Sequence, residues 1–273
     1  STPSNSSAAS DVYKRQKYFL VPNVKNFSWM TVVAAMGQMF YSLSIAMGIL
    51  ITFGSYMKKE TSLEDSTRNV EVFDTAIAIM AGLMIIPAVF AFSGGDPDTL
   101  QAGPALMFIT IPKVFENMGF GTVVGILFFL LVLFAAVTSS IALTESAVST
   151  FEDELGWSRR RATVLVGVIM IALGSLSSLG YGPLVGIKII GMQFLDFFDF
   201  LTNSVMMPIA AMLTSLFVSR IVGMKRMEEE IMHGESTFRR KKIFIVMIKY
   251  LCPVFALIIL ISSVANAFGW IAM

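Results

Sequence analysis

Between Lys25 and Lys58 the chain carries no charged residue. That run, 26–57, is longer than the roughly 20 residues a membrane-spanning helix needs, which commits this part of the chain to a bilayer. It is nevertheless ill-suited to being one plain helix. Ser42, Ser44, Ala46 and Gly48 cluster near its centre, where an uninterrupted span carries Leu, Ile or Val. A break there frees backbone carbonyls and amides at membrane depth, which is tolerated only where they line a cavity or coordinate a ligand. The run reads either as a discontinuous helix at a transport site or as a crossing packed tightly through small residues. Composition does not separate the two.

The rest of the chain has the same solvent preference. Of its 273 residues 55% are hydrophobic and 14% charged, and the mean hydropathy is +0.74, outside the range of an ordinary soluble domain. An all-α polytopic membrane protein is expected. A net charge of +1, with no Lys/Arg tract interleaved with aromatics, argues against a nucleic-acid partner. The single cysteine, Cys252 beside Pro253 in an apolar run, excludes an internal disulfide and a cysteine metal site. The single histidine, His233, falls in a charged loop, and both residues read as passive. Residues 1–17 are low in complexity and polar at the start and are expected to be disordered. Within them, 10–16 looks like translated adapter sequence, which would put the native start near Lys17 and leave the true N-terminus missing.

Six spans are predicted, at about 29–57, 71–92, 121–148, 162–179, 194–221 and 243–270, so that 18–273 forms one transmembrane unit. Trp29 suits an interface anchor, and Pro87, Pro208 and Pro253 fall within spans as kink candidates. Residues 58–69 and 152–161 are expected as short charged loops. The longer connection 93–120 is apolar enough, around Pro112, for short amphipathic pieces forming a packed lid. Lys58, Lys59, Arg68, Arg159, Arg160, Arg161, Arg220, Lys225, Arg226, Arg239, Arg240, Lys241 and Lys242 fall on one side, against only Lys113 and Lys188 between spans on the other. The positive-inside rule makes the first side cytoplasmic and puts the chain end at Met273 outside. Lys14, Arg15, Lys17 and Lys25 then fall outside, against the trend.

The third predicted span offers a second place for chemistry. Ala135, Ser139 and Leu143 share one helix face, with Thr138 on its edge. Adjacent hydroxyls beside a carbonyl make an all-oxygen pocket suited to a small cation; alternatively each hydroxyl bonds back to the carbonyl four residues earlier. Asp74 stands near the cytoplasmic start of the second span, where an ionised carboxylate faces either a partner or an aqueous cavity, or is a solvated helix start. Asp196 and Asp199, three residues apart, stand at the outer end of the fifth span as a gate pair or a hydrated cap. No zinc-protease His-Glu-x-x-His pattern and no nucleophile elbow occurs, and Asp74 and Asp199 begin at opposite faces, which disfavours an intramembrane aspartyl protease. An enzyme is not expected.

Gly37-Gln38-Met39-Phe40-Tyr41-Ser42-Leu43-Ser44, followed by Gly48 and Ser55-Tyr56, resembles the broken sixth helix of the neurotransmitter:sodium symporters, specifically the bacterial amino-acid transporters. Ala135-Ala136-Val137-Thr138-Ser139-Ser140, with Phe151-Glu152-Asp153-Glu154 after it, is similar to their eighth helix. The resemblance runs from about Tyr18 to the end and implies a leucine-transporter-like inverted-repeat fold, a standard case of transporters with discontinuous helices. It implies that Tyr41, Ser42, Ser44 and Met47 line an amino-acid pocket with Ser139 and Leu143. Ser42 would serve a first sodium site, and the Ala135 carbonyl with Thr138 and Ser139 a second. Gln38 and Asp199 would stand at an outer gate. Asp74 resembles an acidic residue that replaces chloride in some bacterial members, and is a further candidate beside the sodium ions. Met47, where relatives often carry Phe, leaves room for a bulky or flexible side chain.

The same resemblance matches this chain to helices six to eleven alone. Helices one to five, including the first broken helix that holds the substrate's charged groups and half of each sodium shell, would belong to a missing N-terminal half, and the chain should not transport without it. The expectation is therefore half of a sodium-coupled symporter of amino acids or related small amines in the cytoplasmic (inner) membrane, with the amino acid, sodium, the lipid bilayer and that missing half as partners. The competing class is an uncoupled channel or membrane assembly component, which predicts no sodium-dependent substrate binding.

Overall fold

The computed structural model describes residues 20–21, 27–92, 103–116, 118–234 and 237–270; the expectations for 1–17 and for 93–102 lie outside these. The chain divides into two compact units, one comprising residues 1–27 and 71–138, the other 28–70 and 139–273. Regular structure among the described residues is helical, apart from an isolated bridge between Ile189 and Met192. Among the described residues, five helices are long and apolar enough to cross a membrane: α3 (Leu63–Phe92, over its stretch Leu63–Pro87), α5 (Gly121–Leu155), α6 (Arg159–Leu179), α7 (Phe194–Val222) and α9 (Lys241–Ala267). The remaining expected span, 29–57, is split into α1 (Trp29–Ser42) and α2 (Ile49–Ser55), of 14 and 7 residues, each too short to cross alone. The short helices α4 (Ile111–Glu116) and α8 (Met224–Ile231) lie between spans.

Capping explains where the helices begin and why two of them outrun expectation. Ser28 and Thr31 form a reciprocal capping box at the start of α1. The Ser62 hydroxyl accepts the Asp65 amide at 3.0 Å, and Glu64 and Asp65 occupy the first turn of α3, where carboxylates meet the positive end of the helix dipole. The segment from Leu63 to Asn69, read from its charge as loop, is thus helix. Likewise α5 continues through Glu152, Asp153 and Glu154 and stops where Gly156, at φ +62°, turns the chain.

Prolines leave a different signature. A proline ring crowds the carbonyl four residues back and offers no N–H, and before three of the prolines the helix is widened to i→i+5 bonding, whereas α3 runs through Pro87 unwidened and the π turn Val218–Val222 precedes a glycine. Such π turns occupy Leu106–Thr110 before Pro112, Phe200–Met206 before Pro208, and Met247–Leu251 before Pro253. In the last of these the Cys252 amide donates to the Met247 carbonyl. By the same register the Ile248 carbonyl faces the nitrogen of Pro253, which has no hydrogen. The buried Ser215 hydroxyl of α7 supplies the donor instead, at 2.5 Å.

In the unit 28–70 with 139–273, α7 packs along α9, and α1 packs against both α9 and the Phe200–Met206 π turn. In the other unit, α4 buries Ile111 and Val114, and its Phe115 ring meets Phe128 of α5 edge-on at 5.4 Å. Gly121 is obligatory there, since a Cβ would stand 1.6 Å from the Phe115 carbonyl oxygen. The connection after α3 thus contains short helical pieces, and Pro112 lies within these turns without ending them.

Candidate functional site

The uncharged run breaks at residues 43–48. The Ile45 amide returns to the Phe40 carbonyl at 2.9 Å and the Ser44 amide to Tyr41 at 3.1 Å, a Schellman ending with Ser44, at φ +53°, where glycine is usual. Ala46 follows at φ +64° and Gly48 at φ +80°. A left-handed L-residue costs about 1–2 kcal/mol, so two non-glycines held there mark a break that the surrounding fold enforces. The break starts after Ser42, within the cluster from Ser42 to Gly48 that composition singles out. Gly48 lies close against α5: a Cβ would stand 2.7 Å from the Ser146 Oγ. One turn on, the Thr52 hydroxyl meets the Ser146 and Ser149 hydroxyls, each at 3.4 Å.

Beside the end of α1 lies a cavity of about 330 Å³ whose polar lining is Gln38, Tyr41, Asp199, Asn203, Ser204 and Ser263, with Val33 and Ile259 among its apolar walls. Three residues singled out from the sequence, Gln38, Tyr41 and Asp199, are thus brought together by α1 and α7. The lining holds one carboxylate and no basic side chain. The Asn203 amide donates to the Asp199 carboxylate at 2.5 Å. Asp196 takes another course: it lies near Tyr181, whose phenol is pushed above its ordinary value by burial, with a smaller contribution from the Asp196 charge.

Ser42, Ser44, Met47, Ser139 and Leu143 do not line this cavity. Ser44 and Met47 lie half-buried in the break, while Ser139 and Leu143 are exposed along α5. The Thr138 hydroxyl donates to the Ala135 carbonyl at 3.0 Å, three residues back along α5. Carbonyl and hydroxyl oxygens, with Ser139 adjacent, are the hard donor set a small cation takes, so the chemistry of these residues fits sodium. Asp74 is half-buried within α3, about three turns from its start at Leu63. That is deeper into the helix than its position beside a charged loop suggested.

One network escaped the sequence reading. The Tyr56 hydroxyl donates to Glu145 at 2.7 Å, and Arg159 bridges Glu145 at 2.5 Å and Glu152 at 3.2 Å. It joins the end of α2 to α5 and α6. The available signal was Glu145 and Glu152, two turns apart on one face of α5, with Arg159 just past the following turn. Asn203 was legible in the same way, one helical turn from Asp199, and was also missed.

A profile of the sodium:neurotransmitter symporter family matches residues 11–269. An uncharacterized sodium-dependent transporter of Bacillus subtilis is 31% identical over 81% of this chain and 48% of its own length. An uncharacterized sodium-dependent transporter of Haemophilus influenzae is 31% identical over 90% of this chain and 53% of its own length. The chain thus spans about half the length of these curated relatives. Among solved structures, that of MhsT in complex with L-phenylalanine is similar with a TM-score of 0.77 and 33% identity, covering 93% of this chain and 60% of that one.

Proposed function

This chain belongs to the sodium:neurotransmitter symporter family, and from that premise we propose that the full-length protein uses the sodium gradient to drive symport of amino acids or related small amines across the cytoplasmic membrane. With five apolar helices it is a multi-pass membrane protein. The observation that carries the proposal is the break at residues 43–48, following directly on an α1 end that shares a polar cavity with Asp199. Backbone groups released from a helix ladder at membrane depth need a ligand or a cavity, and an amino acid with sodium ions supplies complementary charge. The amino-acid class is supported by MhsT, solved with L-phenylalanine.

In this reading Tyr41, Ser42, Ser44 and Met47 bind substrate together with Ser139 and Leu143. Ser42 contributes to one sodium site, and the Ala135 carbonyl with the Thr138 and Ser139 hydroxyls to another. Bound sodium supplies positive charge that holds these oxygens in one arrangement. Because binding free energies are reciprocal, residues ordered by the ion present substrate with a site whose ordering cost is already met. Gln38 and Asp199 serve at the outer mouth, and Asp74 supplies the negative charge that chloride would otherwise bring. The charged segments around 58–68, 152–161 and 220–242 are cytoplasmic, by the distribution of Lys and Arg. The Tyr56–Glu145–Arg159 network then lies at the cytoplasmic ends of its helices.

Transport is proposed for the full-length protein, since these residues span about half of the relatives' length. The test is uptake of radiolabelled L-amino acids into proteoliposomes under an inward sodium gradient. Accumulation that collapses when sodium is replaced by potassium, and that persists when chloride is replaced by gluconate, is expected. Equal uptake without a sodium gradient would favour an uncoupled channel. Loss of uptake in gluconate would remove Asp74 from its role.

A further inference from the structure

We propose that Asn203 is a positioning residue: one helical turn beyond Asp199, within the Phe200–Met206 π turn, its side-chain amide holds the Asp199 carboxylate at the cavity lined by Gln38 and Tyr41, and so sets apparent substrate affinity. This rests on the reading of that cavity as part of the transport route. Three observations converge on it. The Asn203 amide donates to the Asp199 carboxylate at 2.5 Å. Both residues line the cavity, and so does Ser204. The backbone between them is the π turn.

The geometry of that turn decides which side chains accompany Asp199. In an α-helix, advancing about 100° per residue, the residue five positions on lies about 140° away around the axis and faces elsewhere. In a π turn the i→i+5 bond brings that residue back toward the same face, while the residue four positions on stays there. Asn203 and Ser204 therefore both join Asp199 at the cavity, and a regular helix would have kept only Asn203. The π turn ends directly before Met207 and Pro208, where the proline nitrogen offers no N–H.

What the amide does there is set by charge and mobility. Asp199 is exposed and Asn203 half-buried, so the amide is the better fixed of the two. An N–H donated to a carboxylate is among the stronger neutral-to-charged hydrogen bonds. It confines a side chain that would otherwise sample several rotamers, and a carboxylate already oriented gives up less entropy when a cationic group approaches. The cavity lining carries no cation of its own, which leaves that place to an ammonium or another positive group.

The test uses the full-length protein in proteoliposomes with a panel of the twenty radiolabelled L-amino acids, the best-transported one then serving as probe. Asn203→Ala is expected to raise the KM for the probe about tenfold, the size expected from losing one hydrogen bond to a charged group, with the maximal rate changed by less than about twofold. Asn203→Ser, which keeps a small polar residue in the helix, serves if the alanine variant does not fold and is expected to move KM in the same direction. The deciding measurement is the cycle with Asp199→Asn: once the carboxylate is gone, Asn203→Ala should leave KM unchanged. Equal effects of Asn203→Ala in both backgrounds would make Asn203 a structural residue of α7 and overturn the proposal, leaving the transport reading intact. Absence of sodium-driven uptake in the wild-type protein would overturn both.

Discussion

The Ile248 carbonyl has no helical donor, because the nitrogen opposite it belongs to Pro253, and a single hydroxyl from another helix takes the donor's place. Ser215 is only 4% exposed, so water does not easily replace it. Substituting Ser215→Ala leaves a buried acceptor unmet and is expected to destabilise the protein by about 1–3 kcal/mol. The change should appear as a lower thermal unfolding midpoint in detergent, without a change in sodium dependence. Gly48 works by the opposite logic, through the absence of atoms: its φ of +80° and its closeness to Ser146 each exclude a side chain. Individual residues of this kind were partly visible in the sequence. Gly48 and Ser44 stood out as small residues in an apolar run, whereas Ser215 looked like any hydroxyl in a span, since its partner is a carbonyl that only the π turn exposes.

Among elements, the π turns decide more than their few residues would suggest. If the turn at Met247–Leu251 creates the need for Ser215, supplying an N–H at position 253 should remove it. In a Pro253→Ala background, Ser215→Ala is expected to cost less than it does alone, with a coupling of about 1 kcal/mol in a double-mutant cycle of thermal stability; strict additivity would disconnect the two. The elements also show where sequence reasoning holds and where it fails. Hydropathy marked stretches that fold as long apolar helices, as at 121–148, 162–179, 194–221 and 243–270, because length and lack of charge are what a bilayer demands of a helix. Helix ends were misplaced wherever charge was equated with loop: α3, capped by Ser62, starts at Leu63, eight residues before the segment beginning at Glu71, and α5 carries Glu152 to Glu154 as helix. The break was legible from composition and from the family resemblance, but its register was not. It depends on a Schellman ending built on serine, which no glycine signals. The grouping of Gln38 with Asp199 came from the resemblance, since nothing periodic links positions so far apart, while Tyr41, expected in the amino-acid pocket, lines the same cavity as both. Asn203 was within reach of helical spacing from Asp199, whereas Ser204 joins them only through the widened turn.

In the molecule as a whole, a helix is interrupted where a bilayer would normally forbid it, and under the proposed function the freed backbone meets an ion and a small amino acid. Length and charge alone would also allow a small-residue crossing, and the three left-handed residues at 44, 46 and 48 argue against that alternative, since tight packing needs small side chains and not a broken ladder. The claim that follows is thermodynamic: sodium and substrate should each raise the affinity for the other by the same factor, because they order the same segment. Equilibrium binding of a radiolabelled L-amino acid to the purified full-length protein, titrated in sodium and in potassium at equal ionic strength, tests this most directly. Saturable binding that tightens at least about tenfold in sodium, a coupling within the usual allosteric range, is the predicted result. Binding of equal affinity in both salts, or none in either, would contradict it.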